Sequence, residues 1–428
     1  MNQLRQQARE LKEKKNFKKA IDLYTQIWPN HSDIWVGWEY AVCLKHQGKL
    51  DEAINVLKEV LSRNNKFYYA KNLLSWCLYE RYFKTTKKKY NFSEITHLIK
   101  VTEEIINLVD QTDKSPYEYT IFKLIKILKA NAAFPAAKLL YWLDKIDIEL
   151  VQDIPFKFEF KGRKGESQSN KEMYYAYKTR ALYEQKEYEE CISCCEEALV
   201  QIERFHHDND IWIEVRKAKS IGMLGDIDIA INKLIDLAAI KKHWSLYMNI
   251  AEFYYKKCNK GKALLYYYRA ALTKDPCRMK VELYYKIGLM LEEQGDNYTA
   301  LLHYLFVKQI RIRNEWSISS KLIRAIGRVH QMQDSIKKDI DINNLKIFWL
   351  NEVRRMLGTQ SGIVIKMIAQ GKAGFVRANN KNYFFEKSAI VNNIKIKQGD
   401  KISFCLVDSY DKKKRVGTIA AGYIEKID

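Results

Sequence analysis

Small residues recurring at a fixed interval constrain this chain more than any other feature. Ala20 and Ala53 lie 53 − 20 = 33 positions apart, and Ala230 and Ala263 lie 263 − 230 = 33 apart. Each is followed four residues later by an aromatic residue or leucine, and three after that by a small or apolar one. The copies are Phe17, Ala20, Tyr24, Ile27; Gly48, Leu50, Ala53, Leu57, Val60; and Tyr188, Cys191, Cys195, Ala198. Ala230, Leu234, Leu237, then Ala263, Tyr267, Ala270, and Gly295, Ala300, Tyr304, Val307 continue the series. Steps of three and four mark one face of an α-helix. A period in this range marks stacked units, none of which buries its apolar face alone. From Met1 to about Met356 the pattern is mainly helical, and with only 5 prolines in 428 residues long helices are favoured. Helices that meet at Ala, Gly and Cys approach closely, so the repeated units are expected to stack into an α-solenoid.

The first helix of each unit names the type of repeat. Tyr247, Ile250, Ala251 and Tyr254 sit where the tetratricopeptide family carries W, L, G and Y, and Tyr284, Ile287, Gly288 and Leu291 repeat them. Lys274–Pro276 supplies that family's closing proline. Residues 1 to about 340 therefore resemble a degenerate tetratricopeptide solenoid of about eight helical hairpins, most clearly over Trp35–Val60 and Trp212–Val307. The resemblance implies a protein partner held in the groove that the first helices line. Its inward positions map to Arg180, Lys219, Glu252, Tyr255, Tyr285 and Glu292, a mixture of rings and charges that suits an extended or helical peptide.

Two stretches break the period. Tyr68–Val109 has longer helices around a basic loop, Thr85–Asn91. Ile148–Asn170 clusters Pro, Gly and Ser and shows no helical spacing; Phe156, Phe158 and Phe160 alternate there with Lys157 and precede Arg163 and Lys164. It reads as an inter-repeat linker first, with a short strand or an interaction loop as alternatives. Trp316–Arg328 and Asn343–Met356 then read as closing helices, which ends the helical domain at 1–356. Arg311, Arg313, Lys321, Arg324 and Arg328 make that end basic.

Residues 361–428 change character. Short β-rich runs, Ile363–Ile368, Ala373–Arg377, Asn382–Glu386, Lys401–Val407 and Arg415–Ile424, are separated by Gly, Asn and Lys clusters, as strands joined by tight turns are. Five such strands suit a small OB-type barrel. Gly362, Val364, Gly374, Phe375, Val376, Phe384, Ser388, Ala389 and Ile390 fall on the pattern of a cold-shock domain, and Gly399–Phe404 and Gly417–Ile424 match its last two strands. The expected class is thus mainly α, an α-solenoid followed by a five-stranded barrel that resembles a cold-shock domain. That resemblance implies single-stranded RNA or DNA bound across an aromatic face. The departures are specific: Lys366 replaces the family's stacking Trp, Met367 the following Phe, Ala373 an aromatic residue, and Glu386 and Lys387 a His and the aromatic after it. Phe375 and Phe384 remain to stack on bases, while Lys366, Lys372, Arg377, Lys387 and the loop Lys412, Lys413, Lys414, Arg415 would neutralise phosphates.

Charge agrees with that partner. Lys and Arg outnumber Asp and Glu by 73 − 52 = 21 in the whole chain, which favours a polyanion, although Lys-rich helix faces also accompany AT-rich bacterial coding. The start, MNQLRQQARELKEKK, lacks the apolar core of a signal peptide, and no run is long enough to span a bilayer. The 8 Cys are scattered, and Cys191, Cys194 and Cys195 share one apolar helix face; core thiols in a reducing cytoplasm are expected rather than a zinc site. His206 and His207 lie beside Asp208 and Asp210 between two units. No phosphate-binding loop, HExxH, GxSxG or Cys–His pair is present. The expectation is a non-catalytic cytoplasmic adaptor with a protein partner and a nucleic-acid partner, without cofactor or metal.

Overall fold

A computed structural model describes residues 2–30, 33–85, 87, 89–131, 134–160, 162–330, 339–391, 394–411 and 413–427. The chain forms two compact units, Met1–Asp210 and Ile211–Asp428. The first contains α1 (Asn2–Glu13), α2 (Phe17–Ile27), α3 (Ile34–His46), α4 (Leu50–Arg63), α5 (Tyr68–Phe83), α6 (Phe92–Leu108), α7 (Tyr117–Asn131) and α8 (Ala136–Leu143). A hairpin, β1 (Phe156–Phe160) and β2 (Arg163–Ser167), precedes α9 (Asn170–Gln185) and α10 (Tyr188–Gln201). Ile148–Asn170 is therefore not a plain linker: Phe156 pairs with Ser167 and Phe158 with Gly165 in an antiparallel ladder.

The second unit continues with α11 (Asn209–Met223), α12 (Ile227–Ile240), α13 (Trp244–Lys256), α14 (Lys260–Ala271), α15 (Val281–Glu293), α16 (Asn297–Arg313), α17 (Ser320–His330) and α18 (Ile342–Leu357). Within each unit successive helices pack as antiparallel hairpins in the tetratricopeptide manner. The reason is the small-residue seam. Ala20, Ala53, Ala230, Ala263 and Ala300 are fully buried, as is Cys191 in the equivalent place. On the facing helices a Cβ at Gly288 would stand 2.5 Å from the Tyr304 ring, and one at Gly222 2.5 Å from Phe253. The turns between paired helices repeat too. Several contain one left-handed residue, among them Lys15, Gly48, Gly225, Cys258 and Gly295, and the same interval separates Lys15 from Gly48 and Gly225 from Cys258.

The barrel follows α18. Its strands are β3 (Gln360–Ile368), β4 (Ala373–Ala378), β5 (Lys381–Glu386), β6 (Lys401–Asp411) and β7 (Val416–Lys426). They close in the order β3-β4-β5-β7-β6, with β5 parallel to β7 at Phe384 and Ala420. This is the connectivity of an OB-like barrel. Val364, Val376, Phe385, Ile402, Phe404 and Ile424 are fully buried and fill it. Gly374 is required at its position because a Cβ there would meet the Phe385 ring at 2.6 Å.

The barrel is fastened to the helices of its own unit. Strand β6 packs on α12 and α18. A bulge in β7, where the register against β6 shifts, holds Tyr423 at φ +51 and turns its side chain onto the helical core. There Arg269 is buried between Tyr247 and Tyr266, its guanidinium 4.8 and 5.0 Å from their ring centres. Arg354 of α18 donates to the Tyr423 carbonyl, to Ser403 Oγ at 2.9 Å and to the Glu425 carboxylate at 3.0 Å. Removing this half-buried guanidinium leaves the Tyr423 carbonyl and Ser403 Oγ without their donor, a loss of about 1–3 kcal/mol, while the part-exposed Glu425 carboxylate can turn to solvent. Arg354→Ala is accordingly expected to speed proteolysis and amide exchange around Leu357–Ser361 in the full chain while the helical repeats keep their protection. Unchanged exchange there would show that the arginine does not fasten the barrel.

Candidate nucleic-acid interface

Alternation along β4 and β5 decides which side chains face outward. Val376 and Phe385 point into the barrel and are fully buried, so Phe375 and Phe384 point out. They are register partners and their rings meet edge to face, with centroids 5.6 Å apart at 66°. A register shift after Val364 places Lys366, not Ile365, opposite Phe375. Lys366, Phe375 and Phe384 thus form one row across three strands, half-buried rings beside an exposed ammonium. The neighbouring row is Ile363, Arg377 and Asn382, in which Arg377 Nε donates to Asn382 Oδ1 at 3.1 Å. Ile363 is 49% exposed and extends the apolar patch. The bulge after Val364 is what brings Ile363 onto the same face as Lys366, a change of phase that alternation along the sequence does not show.

The row on the other side is Ile368, Ala373 and Glu386. Ala373 is buried, and the Glu386 carboxylate lies 3.6 Å from Lys242, in the turn between α12 and α13. The position where the cold-shock pattern has a base-stacking histidine is here an ion pair with the helical part of the same unit. Nothing in the local sequence announces Lys242. Lys372 and Lys387 are exposed at this end, tied by the Lys387 N–H donating to the Lys372 carbonyl at 2.8 Å. Lys413, Lys414 and Arg415 are exposed on the separate β6–β7 turn. Asp411 shapes that turn by accepting the N–H groups of Lys413 and Lys414 at 2.9 and 3.1 Å, and those bonds hold its carboxyl below the usual range. Lys412 lies outside the described residues.

The groove candidates divide between the units. Arg180, on α9 of the first, is exposed and stacks its guanidinium 3.9 Å from the Phe134 ring centre. In the second, Lys219 sits on α11, Tyr255 on α13 and Tyr285 on α15. Tyr255 donates to Glu293 at 3.1 Å and Tyr285 packs beside Tyr304. Two acidic positions are already engaged. Glu252 pairs with Lys286, and Glu292 takes both Arg328 nitrogens at 2.6 and 3.0 Å and the Tyr304 hydroxyl at 2.6 Å. Arg328 holds Glu292 below the usual carboxylate range.

Among the described residues no group of three or more His, Cys, Asp and Glu is arranged to hold a metal ion. Cys191, Cys194 and Cys195 are buried on α10, and the Cys191 thiol donates to the Thr179 carbonyl at 3.2 Å. Burial pushes the Cys43 thiol up to about 11 and Cys77 up to about 12, the opposite of an activated nucleophile. Among the described residues no helix is long and apolar enough to cross a membrane.

Comparison with known proteins agrees with the repeat architecture. Residues 11–77 match the tetratricopeptide repeat family, a class whose members typically serve as non-catalytic scaffolds that bind protein partners. The chain thus combines tetratricopeptide-like helical repeats, matched by the family over residues 11–77, with an OB-like barrel. No curated protein matches it. Among solved structures, a tetratricopeptide repeat protein from Parabacteroides merdae is 12% identical, over 77% of this chain and 98% of that one, with a TM-score of 0.31. A human IFIT1 dimer with PPP-AAAA is 11% identical over 82% and 81% of the two chains, with a TM-score of 0.35. Superposition at that level carries no functional argument.

Proposed function

We propose that this protein is a non-catalytic adaptor that holds a protein partner on its helical repeats and single-stranded nucleic acid, RNA ahead of DNA, on its barrel. The observation that carries the reading is the outward Phe375–Phe384 pair in one row with Lys366. Two bases stack on these rings, at roughly 1–3 kcal/mol each. Lys366, Arg377, Lys372 and Lys387 surround them and take the phosphates, and the basic β6–β7 turn extends the same charge. Since Ala373 and Glu386 shorten the platform, binding leans on phosphate contacts, whose counterion release makes affinity fall steeply with salt.

A second reading is favoured by the Glu386–Lys242 ion pair, which commits part of that face to a contact within the unit. On it the protein is an interaction scaffold whose barrel no longer binds nucleic acid. A place as accessory subunit of a nucleic-acid-processing complex is compatible with the first reading. Fluorescence anisotropy of labelled single-stranded RNA and DNA with the full chain, across a salt series, separates the two. The adaptor reading expects micromolar or tighter binding, RNA above DNA, with a steep salt slope. Absence of binding at low salt would leave the scaffold.

A further inference from the structure

Strand β1 leaves both a face and an edge uncovered. Its sequence, Phe-Lys-Phe-Glu-Phe, sends Phe156, Phe158 and Phe160 to one face of the hairpin and Lys157 and Glu159 to the other. The three rings are 45%, 51% and 65% exposed. Phe158 lies over Gly165 of β2, where a Cβ would stand 2.7 Å from it, so its register partner brings no side chain beside the ring. An exposed apolar row bordered by charge marks an interaction surface. The edge is open as well. Among the described residues β1 pairs with β2 alone, in a two-stranded sheet, and all of β1 is exposed. Alternate residues of such an outer strand turn their N–H and C=O groups to solvent, which is a template for another strand. A hairpin of two strands is marginal by itself and gains from further ones. β2 is the inner strand: Gly165, Glu166 and Ser167 are half-buried, and Glu166 pairs with Arg204 at 2.9 Å.

The strand that fits this edge is β1 of a second copy. Two copies laid antiparallel about a two-fold axis at Phe158 set each Phe158 against the other and Phe156 against the partner's Phe160. The same register sets Lys157 against the partner's Glu159. Directly opposed residues share a face, so all the rings meet on one side of the sheet and unlike charges meet on the other. Within the hairpin Lys157 already faces Glu166, and Glu159 faces Lys164. Charge therefore alternates along a row across all the strands: Glu166, Lys157, the partner's Glu159, the partner's Lys164. A register slipped by two residues sets Lys157 against the partner's Lys157, or Glu159 against the partner's Glu159. A slip of one residue sets rings against charges. Only the register centred on Phe158 satisfies the whole strand. A two-fold contact of this kind closes on itself, and since the inner half of β2 is packed on its own unit, the shared sheet ends there.

We propose that this protein forms a two-fold dimer through β1, completing an antiparallel sheet shared by two copies. The contact is small beside interfaces of standard size, so the dimer is concentration-dependent. Sedimentation equilibrium of the full chain is expected to show monomer and dimer exchanging in the micromolar range. Lys157→Glu and Glu159→Lys, both at exposed positions, each oppose like charges across the axis. Each is expected to raise the dissociation constant about tenfold or more, at a melting temperature near that of the wild type. An equimolar mixture of the two variants sets acidic residues of one copy against basic residues of the other, and is expected to recover most of the wild-type affinity as a heterodimer. Phe158→Ser, at the axis, is expected to weaken the dimer by a similar factor. Phe375→Ala on the barrel leaves it unchanged, so the dimer and the nucleic-acid reading stand or fall separately. The proposal is overturned if the wild type stays monomeric into the hundred-micromolar range, in which case the row of rings serves a different protein. It is equally overturned if both charge variants dimerise as tightly as the wild type, or if their mixture associates no better than either alone.

Discussion

Trp349→Ala is expected to cost about 3–5 kcal/mol of folding stability, the range for emptying a buried large aromatic site. Trp349 is fully buried on α18. It stacks on Tyr284 of α15 with centroids 5.3 Å apart at 5°, and its indole N–H donates to His303 Nε2 of α16 at 2.8 Å. His303 Nδ1 is 2.7 Å from the Thr299 carbonyl, so the ring is a neutral imidazole with both nitrogens satisfied. Trp349→Phe keeps most of the volume but leaves Nε2 unmet, for a smaller loss of about 1–3 kcal/mol. Burial also pushes His303 down to about 4. The unfolded chain, titrating near 6.5, then binds more protons than the folded one, so stability falls as pH drops from about 6.5 towards 4. The full loss is on the order of 3 kcal/mol. Urea denaturation of the wild type and both variants at pH 7 and pH 5 checks the ranking and the sign. A Trp349→Ala protein as stable as the wild type would mean that α18 is not held by this stack.

The second large effect belongs to the barrel face. Phe375→Ala with Phe384→Ala is expected to remove two stacked bases, about 2–6 kcal/mol in total, or between thirtyfold and complete loss of measurable single-strand binding. Both rings lie outside the barrel core, which Phe385 and Phe404 fill, so the melting temperature should change little. Capture of a protein partner by the helical repeats should survive. Anisotropy titration of the double variant beside the wild type reads the first effect and thermal melting the second. Equal affinity of the two proteins would place the nucleic acid elsewhere.

The parts of this fold that repeat were legible in the chain, because repetition exposes their cause. Ala20, Ala53, Ala230 and Ala263 had to be small for helices to touch, and they are the residues found at zero exposure. The barrel strands were legible from alternation and turn residues, and the outward pairing of Phe375 with Phe384 follows once Val376 and Phe385 are seen to be the inward set. What stayed hidden are single contacts between residues far apart. Lys242 reaches Glu386, Arg354 reaches the bulge at Tyr423, and His206 is oriented by Glu172. None of these belongs to a period, and each depends on a three-dimensional meeting of one charged or polar group with one partner. The hairpin at Phe156–Ser167 was half legible. Its alternating Phe and Lys is a strand pattern, but five residues surrounded by Pro, Gly and Ser do not separate a strand from a linker.

The central claim is that nucleic acid lies across Phe375 and Phe384. Ultraviolet crosslinking of a labelled uridine-rich RNA to the full chain, followed by mass-spectrometric mapping, tests it most directly because it reads position as well as binding. Crosslinked peptides should fall within Ala373–Glu386 and disappear when both phenylalanines are replaced. Crosslinks confined to the helical repeats, or none under conditions where the protein is folded, would contradict the account and leave the barrel as a protein-binding element.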